Sequence, residues 1–246
     1  MESVVQCAVD TIRERYSEPL TLDDLADAAS VSKFHFLRVF SRVVGVTPGR
    51  YLSAVRLYEA KRLLSATKLT VAEVSERVGY GSPGSFARRF TESVGMSPTQ
   101  YRRLDRGELP ACRDGFAEGA ATGCGSLSGT VLTDGGPAGV VYVGAFDSPI
   151  LQGHPRAWTA LRGPGSFVLK GVPSGSWYVH ALACGADVSG TPGDAEEAVM
   201  TDAVGPVVVE GPGCGDVELT LRTPRWSCPP VLSALPFVEA PLLAAG

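Results

Sequence analysis

The sequence predicts a multidomain α + β chain: an all-α domain built on a duplicated helical motif, followed by an all-β Greek-key sandwich of about seven strands. Three observations predict it. VGVTPGRY at residues 44–51 is nearly repeated as VGMSPTQY at 94–101. The spacing of apolar residues changes from helical in residues 1–106 to short β-rich runs beyond residue 126. The formal charge of -4 over 246 residues is also divided: residues 1–106 carry 16 Lys/Arg against 12 Asp/Glu, and the remainder 6 against 14. A basic half attracts phosphate and an acidic half is repelled by it, so the two are expected to have different partners. The expected organisation is 1–106 helical domain, 107–126 linker, 127–222 sandwich and 223–246 Pro-rich tail.

The repeat extends well beyond the octapeptide. LTLDDLADAAS at 20–30 faces LTVAEVSERVG at 69–79, and FHFLRVFSRVVGVTPGRYL at 34–52 faces GSFARRFTESVGMSPTQYR at 84–102. The offset is 49 before the central turn and 50 after it, which places one inserted residue in that turn. Each copy opens with a capping box, Thr21-x-x-Asp24 and Thr70-x-x-Glu73, whose side chains satisfy first-turn amides. Leu22, Leu25, Ala26 and Ala29, and then Val71, Val74 and Val78, follow at helical spacing. Ser82-Pro83, Thr47-Pro48 and Ser97-Pro98 each supply an N-cap and a first-turn proline for a further helix.

The second helix of each copy is expected to bury a stripe, Phe36, Val39, Phe40 and Val43 in one and Phe86, Phe90 and Val94 in the other. Residues 33, 34, 37, 38 and 41 and their counterparts then face outward. Two short helices joined by a tight turn, the second with a basic outer face, describe a helix-turn-helix. A purely structural helical hairpin is the alternative, which duplication and the basic face disfavour. Between the copies, residues 48–67 read as one uninterrupted helix. At 1.5 Å per residue, roughly 20 residues make a rod about 30 Å long, close to the ~34 Å turn of duplex DNA.

On these residues, and above all on RLYEAKRLLSATKLTVAEVSERVGYGSPGSFARRFTESVGMSPTQYRR, the chain resembles the DNA-binding domain of AraC/XylS-type transcriptional regulators over residues 3–104. The resemblance implies a seven-helix domain, sequence-specific binding to double-stranded promoter DNA, a transcription-regulating role, and no cofactor. Carried over by position, it implies base-reading residues Phe34, Leu37 and Arg38 in the first recognition helix, with Ser32 and Lys33 near phosphates. The corresponding DNA-binding positions of the second are Ser82, Gly84, Ser85, Ala87 and Arg88. Phe34 and Leu37 suit thymine methyl groups, and Arg38 can donate twice to guanine. Thr91 and Glu92 depart from the family, in which a basic residue usually follows the second-helix Phe. The first motif is therefore expected to discriminate bases and the second to position the backbone.

Residues 107–126, dense in Gly and Ala, read as a linker. SGTVLTD, AGVVYVGAF, AWTALRG, GSFVLKGV, SWYVHALAC, GPVVVEG and DVELTLR follow as candidate strands, separated by turn signals such as Asp-Gly-Gly-Pro, Gly-Pro-Gly and Pro-Ser-Gly. Two of these stretches, SGTVLTDGGPAGVVYVGAF and GSFVLKGVPSGSWYVHAL, are similar to the carboxypeptidase regulatory-like, or transthyretin-like, sandwich repeat. That resemblance implies an accessory fold and no catalytic residue. Effector sensing, homodimerisation and protein contact, RNA polymerase included, are the roles open to this half. The tail reads equally as an extended strap or a contact segment.

Other classes find little support. Charges interrupt the opening residues before any secretory-type run, and VLSALPFVEAPLLAAG is too short and proline-broken to span a bilayer, so a soluble cytoplasmic protein is expected. Cys7, Cys112, Cys124, Cys184, Cys214 and Cys228 form no C-x-x-C pair, which argues for scattered thiols and against metal; redox sensing by Cys112 and Cys124 is a second reading. His154 and His180 lie near no nucleophile motif, and Trp158, Trp177 and Trp226 fit a core as well as a pocket. The main rival class is a bifunctional enzyme whose helix-turn-helix delivers a catalytic C-terminal domain to DNA, and a second is a plain interaction scaffold that never touches DNA.

Overall fold

The caps and turns written into the repeat take shape in the computed structural model, which describes residues 2–104, 125–134, 138–185, 199–211 and 214–234. Residues 107–124 of the expected linker lie outside these, with Cys112 and Cys124 among them, while Gly125 and Ser126 belong to the first strand. The tail beyond Ala234, residues 135–137 of one expected turn, and the side chains of Cys184 and Cys214 are likewise outside the description. The chain divides into two compact units, the first being Met1–Asp105 together with Arg225–Ala234.

Among the described residues the first unit has seven helices: α1 Glu2–Arg15, α2 Leu22–Ala28, α3 Lys33–Val44, α4 Pro48–Ala66, α5 Val71–Arg77, α6 Pro83–Val94 and α7 Pro98–Leu104. Both capping boxes form. The Thr21 side chain accepts from the Asp24 amide at 3.2 Å while the Asp24 carboxylate accepts from the Thr21 amide at 2.8 Å, and Thr70 with Glu73 repeats this at 3.2 and 2.7 Å. Each first helix ends identically. Ser30 and Gly79, at φ 55 and 79°, are left-handed, and the amides of the following Val31 and Tyr80 reach back to Ala26 and Ser75 at 3.1 and 3.0 Å. The copies then diverge, because Gly81 stands as the extra residue before the N-cap Ser82. Gly79 has a further constraint: a Cβ there would lie 2.5 Å from the Ser17 carbonyl oxygen.

The duplication extends into the core. Phe36 packs on Phe40 at 5.6 Å between ring centroids and Phe40 on Tyr51 at 5.8 Å; Phe86, Phe90 and Tyr101 repeat both distances. The stripe on α3 closes with Val44, not with the expected Val43, which is only half-buried. The physical reason is the helical repeat: Phe36, Phe40 and Val44 follow one another at i, i+4 and match Phe86, Phe90 and Val94, whereas Val43 sits on the flank. α4, 19 residues or about 28 Å long, contacts α1, α3, α5 and α7 and so joins the two copies.

The second unit holds β1 Gly125–Thr133, β2 Ala138–Phe146, β3 Ala157–Leu161, β4 Gly165–Val172, β5 Gly175–Gly185, β6 Val199–Val209 and β7 Cys214–Leu221. They form two sheets, ordered β4-β1-β7 and β3-β2-β5-β6, antiparallel throughout except for the parallel pair β1 and β7. One core lies between them, with Leu127, Phe167 and Leu219 from one sheet and Val143, Val179 and Ala181 from the other. Gly129 permits the parallel pairing, since a Cβ there would fall 1.8 Å from the Val217 carbonyl oxygen. β6 starts at Val199, six residues before the expected GPVVVEG run. Its Pro206 sits beside a register shift on the outermost strand, where a missing amide donor disturbs little.

Candidate nucleic-acid interface

Helices α3 and α6 are each 12 residues long, begin with a serine at the N-cap and end on a left-handed glycine, Gly45 or Gly95. Their inward stripes leave the opposite faces in solvent. On α3, Ser32, Lys33, Phe34 and Arg38 are exposed, and Phe34 stands out with 86% of its surface open. Leu37, expected to face outward, is half-buried; it lines an apolar recess with Leu20, Leu25, Pro48 and Leu52, because its position borders α2 and the start of α4. On α6, Ser82, Gly84, Ser85 and Arg88 are exposed and Ala87 is half-buried.

The exposed polar groups of the two helices are engaged differently. The Ser82 hydroxyl accepts from the Ser85 amide at 3.3 Å and lies 2.9 Å from the Ser85 hydroxyl. Ser32 is exposed and its side chain makes no such cap. Arg88 Nη1 donates to Glu92 Oε1 at 3.1 Å, and Arg89 lies 3.8 Å from the other carboxylate oxygen. Arg38 has only the ring of His35 beside it, 3.5 Å away, and among the described residues it has no carboxylate partner. Lys33 pairs with Asp23 of α2 at 2.8 Å, both side chains being about half exposed, an arrangement that water and salt weaken.

Two exposed cations lie outside the expected set, Arg42 on α3 and Arg89 on α6. Arg42 was recoverable from spacing, since it lies one turn beyond Arg38. Its counterpart at offset 50 is Glu92, so the copies carry opposite charge at the same place. α3 has Lys33, Arg38 and Arg42 and no acidic residue; α6 has Arg88, Arg89 and Glu92. Other arginines of this unit serve the fold. Arg56 donates to the carbonyls of Tyr16 and Glu18, both at 2.7 Å, and Arg102 to those of Leu64 and Leu69. Burial holds the Arg56 guanidinium below its ordinary pKa.

In the second unit His180 is buried on β5 with its ring edge-on to Phe146, and its Nε2 donates to the Ser148 carbonyl at 2.9 Å. A ring enclosed in this way is a packing group of the sheet. Among the described residues no group of three or more His, Cys, Asp and Glu gathers at metal-binding distance, and no helix is long and apolar enough to cross a membrane.

Two capped helix pairs in tandem, each presenting a 12-residue helix and joined by one long helix, define a double helix-turn-helix module. The helix-turn-helix domain family matches residues 25–104. The chain is 34% identical over 105 residues to the HTH-type transcriptional activator AarP of Providencia stuartii, covering 43% of this chain and 78% of that protein. It is 36% identical over 109 residues to the Transposon Tn10 TetD protein of Escherichia coli, covering 44% and 79%. The chain belongs to the AraC-type helix-turn-helix family. The lactose operon transcription activator of Staphylococcus xylosus is 33% identical over 98 residues, which are 40% of this chain and 35% of the activator. The chain thus spans about a third of the length of several relatives that it matches, and the family match at residues 25–104 lies in its helical unit.

Proposed function

We propose that this chain is a sequence-specific regulator of transcription that binds double-stranded promoter DNA through α3 and α6, set in adjacent segments of the major groove. The observation that carries this reading is the charge of α3: Lys33, Arg38 and Arg42 on an exposed face with no acidic residue, next to a Phe34 that is 86% open to solvent. An aromatic ring left in water has little to gain in the free protein, whereas it can cover a thymine methyl beside an arginine that donates to guanine. In this reading Phe34 and Arg38 discriminate bases, with Leu37 contributing its free edge, and Ser32 and Lys33 contact phosphate. α6 has the smaller share. Gly84, Ser85 and Ala87 offer short side chains, Ser82 is committed to its own helix, and Arg88 is shared with Glu92. It fixes register on the sugar-phosphate backbone.

The strand-rich unit, with its two sheets around one core, is read as a Greek-key module of carboxypeptidase regulatory-like type. It serves effector sensing, subunit pairing or contact with another protein such as RNA polymerase. Selection of bound duplexes from a random pool by the full chain, followed by affinity measurements on site variants for Arg38→Ala and Arg88→Ala, tests the division of labour. Arg38→Ala is expected to relax preference at one or two base pairs, and Arg88→Ala to weaken all duplexes alike. Equal loss of selectivity in the two variants would overturn the division, and binding insensitive to salt would overturn the DNA reading itself.

A further inference from the structure

The chain does not leave the helical unit for good at the end of α7. Arg225–Ala234 belong to the same compact unit as the seven helices, although the strand-rich residues lie between them in sequence. Two anchors hold this segment. Near its start Arg13 Nη2, on α1, donates to the Trp226 carbonyl at 2.9 Å, and the Cys228 amide closes a turn onto the Arg225 carbonyl at 2.9 Å. The same guanidinium lies beside the buried Tyr51 phenol, where it opposes the upward push of burial on that group. At its end the Ala234 amide donates to the carbonyl of Val94, the last residue of α6, at 2.9 Å. A helix C-terminus leaves its last four carbonyls without intrahelical partners, and the returning segment supplies one of the missing donors. Pro229 and Pro230 favour an extended course between the anchors, and Leu232, Ser233 and Ala234 are 1, 3 and 5% exposed.

We propose that Arg225–Ala234 is an intramolecular strap, docked on α1 and on the C-terminal end of α6, which makes the strand-rich unit an insertion within the helical unit and gives it a direct mechanical link to the second recognition helix. An event in the inserted unit that draws on the strap, such as effector binding or subunit pairing, removes a capping donor from the end of α6. The strap stands without the DNA reading. Only its consequence for binding rests on that reading.

Hydrogen exchange on the full chain, without DNA, tests it with two variants. Leu232→Asp puts a charge at a buried position of the strap and is expected to speed exchange at Thr91–Gly95 by about tenfold or more, while the amides of α2 stay unchanged. A free peptide of residues 225–234 added to that variant is expected to restore the protection. Arg13→Gln removes the exposed anchor to the Trp226 carbonyl and the cation beside the Tyr51 phenol, and is expected to give a smaller rise of about threefold at the same amides; it decides the matter if Leu232→Asp does not fold. Unchanged exchange at the end of α6 in both variants, or in Arg13→Gln alone when the other is unfolded, overturns the proposal. Failure of the unaltered chain to bind any duplex, with exchange responding as expected, would sink the DNA reading and leave the strap standing.

Discussion

Glu92 holds Arg88: one carboxylate oxygen accepts from Nη1 at 3.1 Å, and the other lies 3.8 Å from Arg89, so a single acidic residue faces both cations of α6. Arg42 occupies the corresponding place in the first copy. Replacing Glu92 by Gln keeps the side-chain size, frees both guanidinium groups and removes a charge that phosphate repels. Duplex affinity is expected to rise several-fold, with log Kd depending more steeply on log salt. Titration at several salt concentrations reads both quantities. An affinity equal to that of the parent chain would show that α6 lies away from phosphate.

Phe34 is the most open large apolar side chain among the described residues. Phe34→Ala removes little buried surface from the free protein, so its stability is expected to stay within the range of ordinary surface changes, about 0.5 kcal/mol either way. Duplex affinity is expected to fall at sites with a thymine under the ring and to change little elsewhere. A loss of stability without a loss of affinity would return Phe34 to the fold.

The two capping boxes give a matched pair of stability tests. Thr21→Ala and Thr70→Ala each leave a first-turn amide without its acceptor, at a cost of about 1 kcal/mol, and thermal melts of the single and double variants should add, since the two caps share no partner. Their carboxylates also predict a response to acid. The hydroxyl and amide of Thr21 hold Asp24 below its ordinary value, and the amide and hydroxyl of Thr70 do the same for Glu73. A depressed folded value means that the contribution is complete above the unfolded carboxylate value, near 4, and is lost as pH falls through the folded one. The variants should therefore melt more nearly alike with the parent chain in acid than at neutral pH.

His180 gives the strand-rich unit a response at a higher pH. Burial holds its imidazole below the ordinary value, and the hydrogen bond to Ser148 and the charge of Asp202 only partly oppose this. The unfolded chain then binds the proton more readily than the folded one. Its contribution is complete above about 6.5, the unfolded value, and declines as pH falls from there toward the lowered folded value. Melts followed by sheet signal at about pH 7.5 and 5.5 should show the decline, and His180→Gln should flatten it. The same slope in parent and variant would assign the response to other groups.

Much of the helical unit was legible in the sequence because its determinants are local. Caps, turns and the Phe36-Phe40 and Phe86-Phe90-Val94 stripes all act within one or two turns of helix, and their repetition at offsets of 49 and 50 made each copy a check on the other. Even Glu92 announced itself as a misplaced charge. The one slip in the core, Val43 for Val44, arose on a helix flank, where the step from half-buried to buried is set by what packs alongside. The strands were mostly legible for the same reason, through alternation between turn signals.

What the sequence by itself determined, then, is the double helix-turn-helix, its capping chemistry and the outward basic face of α3. Only the tertiary structure decided which charges serve the fold and which face solvent: Arg56 and Arg102 look like DNA-binding arginines in a charge count, yet both are spent on backbone carbonyls. It likewise decided the parallel pairing of β1 with β7 and the course of β6 through Pro206. Above all it decided that the tail returns, with Arg13 meeting Trp226 across 213 residues of sequence. Such contacts depend on which surfaces are left unpaired once both units have formed, and no periodicity in a short window encodes that.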